Sequence, residues 1–264
     1  MNQPSDAKAD GYWHWSYYLY GNGRSAPGKL FECPGVKHGG PPRTNPGPEF
    51  GNWEDGQVDD RGNAGANPFV DRQAPRMSLT ANGAIVPRNK FTPALSGSAQ
   101  RINRYVRDTD IIQPGRTILA TEFSENWKAI TVSEGAGFKL KSHRPVVALV
   151  TQTGSCAGNS LYTNSPNIGY MYPTAPYGLV SYEELQNSDV PWIDSETPLN
   201  AIGRHHPGST VRNNIDYGGT TNFLYVDGHC ERKHIIDTME NEEWGKKFYS
   251  ITGNNNVSSS GRNR

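Results

Sequence analysis

Apolar positions along the 264-residue chain come in short bursts rather than long periodic stretches. Four bursts read as strands: Thr117-Ile118-Leu119-Ala120-Thr121-Glu122-Phe123, Val146-Val147-Ala148-Leu149-Val150, Phe223-Leu224-Tyr225-Val226 and His229-Cys230-Glu231-Arg232. Each is short and bounded by turn formers. Only Asp227-Gly228 separates the last two, and this pair readily supplies the two positive φ angles of a two-residue type I′ turn, so a hairpin is predicted there. Beyond it, residues 234–247 carry Ile235, Ile236, Met239 and Trp244 near helical spacing, with Phe248 just after. Asp237 and Glu240 come early and Lys246-Lys247 late, which suits the dipole of a C-terminal helix. Near the start, residues 12–20 are densely aromatic, with Trp13, Tyr17 and Tyr20 on one helical face and Gly21-Asn22-Gly23 as a stop signal. A short, buried N-terminal helix is predicted.

The polar stretches divide the chain as clearly. Residues 1–11 read as a flexible N-terminus and residues 253–264 as a disordered tail, leaving a single domain over residues 12–252. Residues 34–67 are dominated by Gly, Pro, Asn and Asp. A long structureless stretch is uncommon inside a compact domain, so this one should be a packed surface loop or one ordered by a metal. The fold class implied is α+β: an antiparallel sheet with a short helix at each end and large irregular loops. The 29 glycines and 19 prolines agree with that loop content, and 13 Tyr, 8 Phe and 6 Trp supply large buried areas to a chain with 34% apolar residues.

Charge and chemistry narrow the function classes. Lys plus Arg equals Asp plus Glu at 26 each, so nothing draws the whole molecule to nucleic acid or anionic lipid. The apolar runs are far shorter than the roughly 18–20 residues that span a bilayer. Cys33, Cys156 and Cys230 lie far apart, without a Cys-x-x-Cys pair or a Cys/His cluster at zinc-ligand spacing; one disulfide with a leftover thiol and three inert buried thiols both stay open. Asp55, Asp59, Asp60 and Asn63 offer hard oxygen ligands beside glycines that allow tight bends, a candidate calcium site that lacks the spacing of the twelve-residue calcium loop. His205-His206, Asp227 and His229 invite an acid/base or metal reading, against which an Asp at a turn is explained by local conformation. Gly154-Ser155-Cys156-Ala157-Gly158 is the nearest approach to a nucleophile elbow, and the Asn-, Ser- and Pro-rich segment after it does not read as the helix an elbow needs.

Several separated segments, taken in order, resemble bacterial prepilin-type proteins whose C-terminal domain carries a His, nine residues, then Asp-Gly. They are the aromatic opening, Lys29-Leu30-Phe31-Glu32-Cys33-Pro34, Ile112-Gln113-Pro114-Gly115-Arg116-Thr117-Ile118-Leu119-Ala120-Thr121-Glu122, Ser142-His143-Arg144-Pro145-Val146, Gly203-Arg204-His205-His206-Pro207-Gly208, Gly218-Gly219-Thr220-Thr221-Asn222-Phe223-Leu224-Tyr225-Val226-Asp227-Gly228-His229 and Trp244-Gly245-Lys246-Lys247-Phe248-Tyr249-Ser250. Such proteins are similar to type II secretion pseudopilins. The resemblance implies a pseudopilin-like head, no catalysis, export, and inner-membrane anchoring of the full-length form through a leader and apolar helix upstream of Met1, with the head periplasmic or at the cell surface. Other pilin-like subunits or secretion-system components would be the partners, and His206, Asn222, Asp227 and Gly228 the structural motif. The chain departs from the pattern in spacing: twenty residues, 207–226, separate His206 from Asp227, while Asn222 keeps its place. The extra residues should form a loop within 207–218. Two other readings remain: an extracellular carbohydrate-binding module, suggested by the aromatic and Asn/Gly-rich segment 159–182, with glycans as partners, and a metal-dependent hydrolase using His205, His206 and Asp227.

Overall fold

The computed structural model describes residues 10–14, 16–17, 28–48, 53–65, 69–87, 101–134, 137–140, 145–152, 165–187, 189 and 198–258. Within them the chain is a mixed α+β structure, mostly sheet with little helix. The central element is a four-stranded antiparallel sheet in the order Cys230–Lys233, Thr221–Tyr225, Ile118–Glu122, Leu79–Ala81. Alternation explains its polarity. Thr221, Phe223 and Tyr225 turn inward, whereas Asn222 faces out. Inward of the sheet lies an aromatic core in which Phe223, Tyr225, Trp244 and Phe248 are almost fully buried, and Phe223 meets Trp244 edge to face with centroids 6.3 Å apart.

Three polar side chains lock this core to the loops. Asn82 is wholly buried and donates to the carbonyls of Ile118 (2.7 Å) and Trp244 (3.0 Å) while accepting from the Ala84 N–H (2.9 Å), so one amide joins the sheet to the C-terminal segment. Arg101 and Arg204 are buried too. Arg101 donates to the Ser165 carbonyl (2.8 Å), the Ile168 carbonyl and the Tyr170 hydroxyl (2.9 Å). Arg204 donates to the carbonyls of Val180 (3.0 Å) and Tyr217 (3.1 Å) and to Asn200 Oδ1 (3.1 Å). Burial pushes the Arg204 guanidinium down to about 10; at neutral pH it stays charged, its N–H groups solvated by carbonyl dipoles.

The hairpin of the Asp227-Gly228 segment is present, but its turn is not the predicted one. Tyr225 N–H bonds the His229 carbonyl (2.9 Å) and Gly228 N–H bonds the Tyr225 carbonyl (3.0 Å), while Gly228 takes φ +94° and Asp227 does not take a positive φ. This is a three-residue loop with a glycine bulge. Val226 is drawn into the turn because its N–H goes to the Thr117 carbonyl of the neighbouring strand (3.0 Å).

Other expectations need correction. The aromatic opening begins as a strand, Asp10–Trp13, paired in parallel with Val70–Arg72, so Asp10 and Gly11 are not part of a loose terminus. Ser16 and Tyr17 are helical, and Trp15 and residues 18–23 lie outside the described residues. The C-terminal helix is shorter than the pattern suggests, Ile235–Glu240. Glu242 (φ +54°) and Gly245 (φ +116°) then bend the chain so that Trp244 enters the core, its Nε1–H on Thr238 Oγ1 at 3.0 Å. Val146 makes only a bridge to Asn82, and the strand starts at Val150. Residues 253–258 are ordered rather than a disordered tail, with Val257–Ser258 pairing in parallel with Tyr170–Met171. The 34–67 region is tied down by bridges from Pro42 to Arg76 and from Pro46 to Val70, and by pairing of Gln57–Val58 with Gly137–Leu140.

Candidate functional site

At one end of the central sheet the strand Ile118–Glu122 is extended by a second run of chain. Phe123 bridges Ile202, Gly203 N–H bonds the Glu122 carbonyl (2.9 Å), and His206 pairs with Thr220 through His206 N–H to O (3.2 Å) and Thr220 N–H to O (3.1 Å). This track carries His205 and His206 past the end of the sheet. Gly219 permits it, since a Cβ there would lie 1.8 Å from the His206 carbonyl oxygen. From the other side the turn after Gly28–Phe31 is held by Ser78, whose N–H (2.8 Å) and hydroxyl (2.9 Å) both reach the Phe31 carbonyl. Cys33 N–H then bonds the Gly39 carbonyl (3.0 Å).

These constraints bring Cys33, Glu122, His205 and His206 together, with one potential ligand atom from each within 4.8 Å of the others. Cys33 Sγ is 3.6 Å from His205 Nε2 and 3.9 Å from His206 Nε2. His206 Nε2 bonds Glu122 Oε1 at 2.9 Å. Asn222 completes the surroundings: its backbone N–H donates to Glu122 Oε2 (3.0 Å), and its side-chain amide donates to Glu122 Oε1 (3.2 Å) and lies 3.2 Å from His206 Nε2. Cys33 and Glu122 are buried, and the two imidazoles, with ring centroids 4.7 Å apart, are half-buried.

The electrostatics follow from that packing. Burial pushes the Cys33 thiol up, the nearby Glu122 carboxylate adds to the rise, and the backbone N–H groups of Gly35 and Val36 nearby pull the other way. Burial by itself would raise the Glu122 carboxyl, but its hydrogen bonds from His206 and the Asn222 N–H hold it below the usual range. Burial lowers His205, only partly opposed by the charge of Glu122, which favours its neutral ring. No guanidinium neutralises the group from the adjacent position, because Arg204 is spent on Val180, Tyr217 and Asn200.

Of the residues singled out in the sequence, His206 and Asn222 lie in this site and Asp227 and Gly228 do not. Asp227 sits in the hairpin turn, where Oδ1 accepts from the His229 N–H (3.2 Å) and bonds His229 Nδ1 (2.6 Å). The hydrolase grouping of His205, His206 and Asp227 is therefore not assembled; Cys33 and Glu122 stand with the histidines instead. Asp55, Asp59 and Asp60 do not converge as a set of carboxylates. Asp59 Oδ1 accepts the N–H groups of Arg61 and Asn63 (both 2.9 Å), and Asn63 Nδ2 reaches Oδ2 (3.3 Å), so this carboxylate organises a turn. Asp55 is exposed. In segment 159–182, the candidate for glycan binding, residues 159–164 lie outside the described residues, and Tyr170 and Tyr172 are core residues rather than a stacking surface. Ser155 and Cys156 lie outside the described residues, and Cys33 and Cys230 are free thiols. No helix among the described residues is long and apolar enough to cross a membrane.

The fold and site together define a sheet-rich α+β protein with a convergent thiol, carboxylate and imidazole cluster. Comparison with protein-family models, curated proteins and solved structures finds no match to the chain.

Proposed function

We propose that the chain is the non-enzymatic, pseudopilin-like head of an exported surface or filament subunit from a type II secretion or pilus-like system. One observation supports this beyond the resemblance itself. Cys33, Glu122, His206 and Asn222 come from four separate segments that carry the resemblance, and they meet at a single point. His206 and Asn222 are thus occupied, with Cys33 and Glu122, in joining strands Ile118–Glu122 and Thr221–Tyr225 to the 31–36 turn. The inserted residues, by contrast, form a small hairpin, Val211–Arg212 with Ile215–Asp216, turned on Asn213 (φ +50°) and Asn214 (φ +63°) and exposed along both strands. A fixed frame that carries variable surface loops suits a subunit head that meets different partners. In this reading the partners are other pilin-like subunits or secretion-system components, the full-length form is anchored in the inner membrane by an N-terminal helix, and the balanced charge gives nucleic acid no purchase.

The test uses cells that make the native gene product. Chemical cross-linking in intact cells, followed by mass spectrometry, should recover this chain joined to pilin-like or secretion-system proteins, and the reading frame upstream of Met1 should encode a leader and about 20 apolar residues. A frame without either, together with cross-links only to cytosolic enzymes, would overturn the proposal.

A further inference from the structure

The group formed by Cys33, Glu122, His205 and His206 has a geometry that the export reading does not require. Around a tetrahedral ion, bonds of about 2.3 Å to sulfur and 2.0–2.1 Å to imidazole nitrogen place S and N about 3.6 Å apart. The Cys33 Sγ to His205 Nε2 separation is 3.6 Å, and the separation to His206 Nε2 is 3.9 Å. At those lengths a thiol–imidazole contact is a weak hydrogen bond. Four Lewis-basic atoms nonetheless face one another at a partly buried point, and the guanidinium of the adjacent Arg204 is turned elsewhere.

The surroundings hold the donors in place. The Val36 N–H bonds the Cys33 carbonyl (3.0 Å), which fixes the turn that presents the Cys33 sulfur to the two histidines. Glu122 is oriented by the Asn222 backbone N–H on Oε2, which leaves Oε1 facing His206. Such outer hydrogen bonds fix the direction of metal ligands. Gly35 lies over the group, where a Cβ would be in ordinary contact with Cys33 Sγ (3.6 Å), His205 Cδ2 (3.8 Å) and His206 Cε1 (3.8 Å), so the 33–36 turn closes the cluster from one side.

We propose that Cys33 Sγ, Glu122, His205 Nε2 and His206 Nε2 form a closed, four-donor structural site for a divalent transition ion of the zinc class. The donor set selects that class: thiolate and imidazole favour zinc over calcium or magnesium, and four protein ligands leave no open position for substrate. Binding releases the Cys33 thiol proton, and any proton at the ligating His205 and His206 nitrogens, to solvent. One thiolate and one carboxylate then balance the two positive charges. The ion joins a turn at residue 33, a strand end at residue 122 and a track at residues 205–206, acting as a cross-link over long stretches of chain.

The experiment takes the whole chain, strips it with a strong chelator, and titrates zinc(II) and cobalt(II) separately. One equivalent should bind. Cobalt should give the intense visible bands of a four-coordinate ion and a thiolate-to-metal charge-transfer band. Zinc at a hundredfold excess over Kd should raise Tm by about 5–10 °C. Cys33→Ser should abolish the charge-transfer band, and His205→Gln should weaken zinc binding at least tenfold, whereas Cys156→Ser and Cys230→Ser should leave both unchanged. Failure of the whole chain to bind stoichiometric zinc or cobalt would overturn the site. So would a weak, six-coordinate cobalt spectrum, or a charge-transfer band that follows Cys156 or Cys230. The wild-type titrations decide the matter should Cys33→Ser not fold, and no outcome depends on whether the protein is exported.

Discussion

Two glycines at opposite ends of strand Thr221–Tyr225 should respond very differently to alanine. At Gly219 a Cβ would sit 1.8 Å from the His206 carbonyl oxygen and 3.0 Å from its carbon. The clash is with backbone, so it is relieved only if the His206 track and the sheet separate by roughly 1.5 Å. That movement breaks the paired bonds between His206 and Thr220, 3.2 and 3.1 Å, each worth about 1 kcal/mol net, and adds an overpacking cost of about 1–3 kcal/mol. Gly219→Ala should thus cost about 3–5 kcal/mol, a fall in Tm on the order of 10 °C for a domain this size. Gly228 has φ +94° but nothing within 4 Å of a Cβ, so Gly228→Ala pays only the left-handed backbone cost, roughly 1–2 kcal/mol. Urea denaturation at neutral pH, followed by tryptophan fluorescence and far-UV circular dichroism, measures both. Equal losses for the two variants, or a Gly219→Ala protein as stable as wild type, would refute the placement of His206 beside the sheet.

Burial holds His14 neutral down to about 4, below the roughly 6.5 of the unfolded chain, so the unfolded state takes up the proton first and stability falls as pH drops from about 6.5 toward 4. The loss from this group should total roughly 3 kcal/mol, and His14→Gln should flatten the slope of unfolding free energy in that window; an unaltered slope counts against a buried His14. Asp59→Ala, which strips the Arg61 and Asn63 N–H groups of their acceptor, should cost about 2 kcal/mol. Millimolar calcium should leave the wild-type melt where it is, and a rise in Tm with calcium would show that the 53–65 loop holds an ion after all.

How much of this was legible in the sequence depended on range. The antiparallel hairpin follows from local signals, apolar strands on either side of Asp227-Gly228. Its turn type did not, because the partner that drew Val226 into the loop, the Thr117 carbonyl, is far away in the chain. The helix after His234 was visible from Ile235, Ile236 and Met239, yet its end was not, since Trp244 continues the apolar spacing while entering the core from a bent segment. The first strand was hidden more deeply: residues 10–13 pair with residues 70–72, and aromatic spacing alone favours a helix. The site is the extreme case. Rules for zinc ligands look for cysteines and histidines a few residues apart, whereas Cys33 and His206 are 173 positions apart and Glu122 and His206 are 84. His205-His206 was the local clue. Asp227 was the carboxylate that the motif pointed to, but Glu122 is the one that the sheet register brings to the histidines.

The reading of this chain as an exported head is tested most directly by protease accessibility in the cells that make it. Intact cells, and spheroplasts with the outer layers opened, should both be treated with protease and probed with an antibody to residues 198–258. The account requires that the head be cut, or shed as a folded fragment, in at least one of these preparations while a cytosolic marker survives. A head that is protected in both, and becomes accessible only when the inner membrane is lysed, would contradict it.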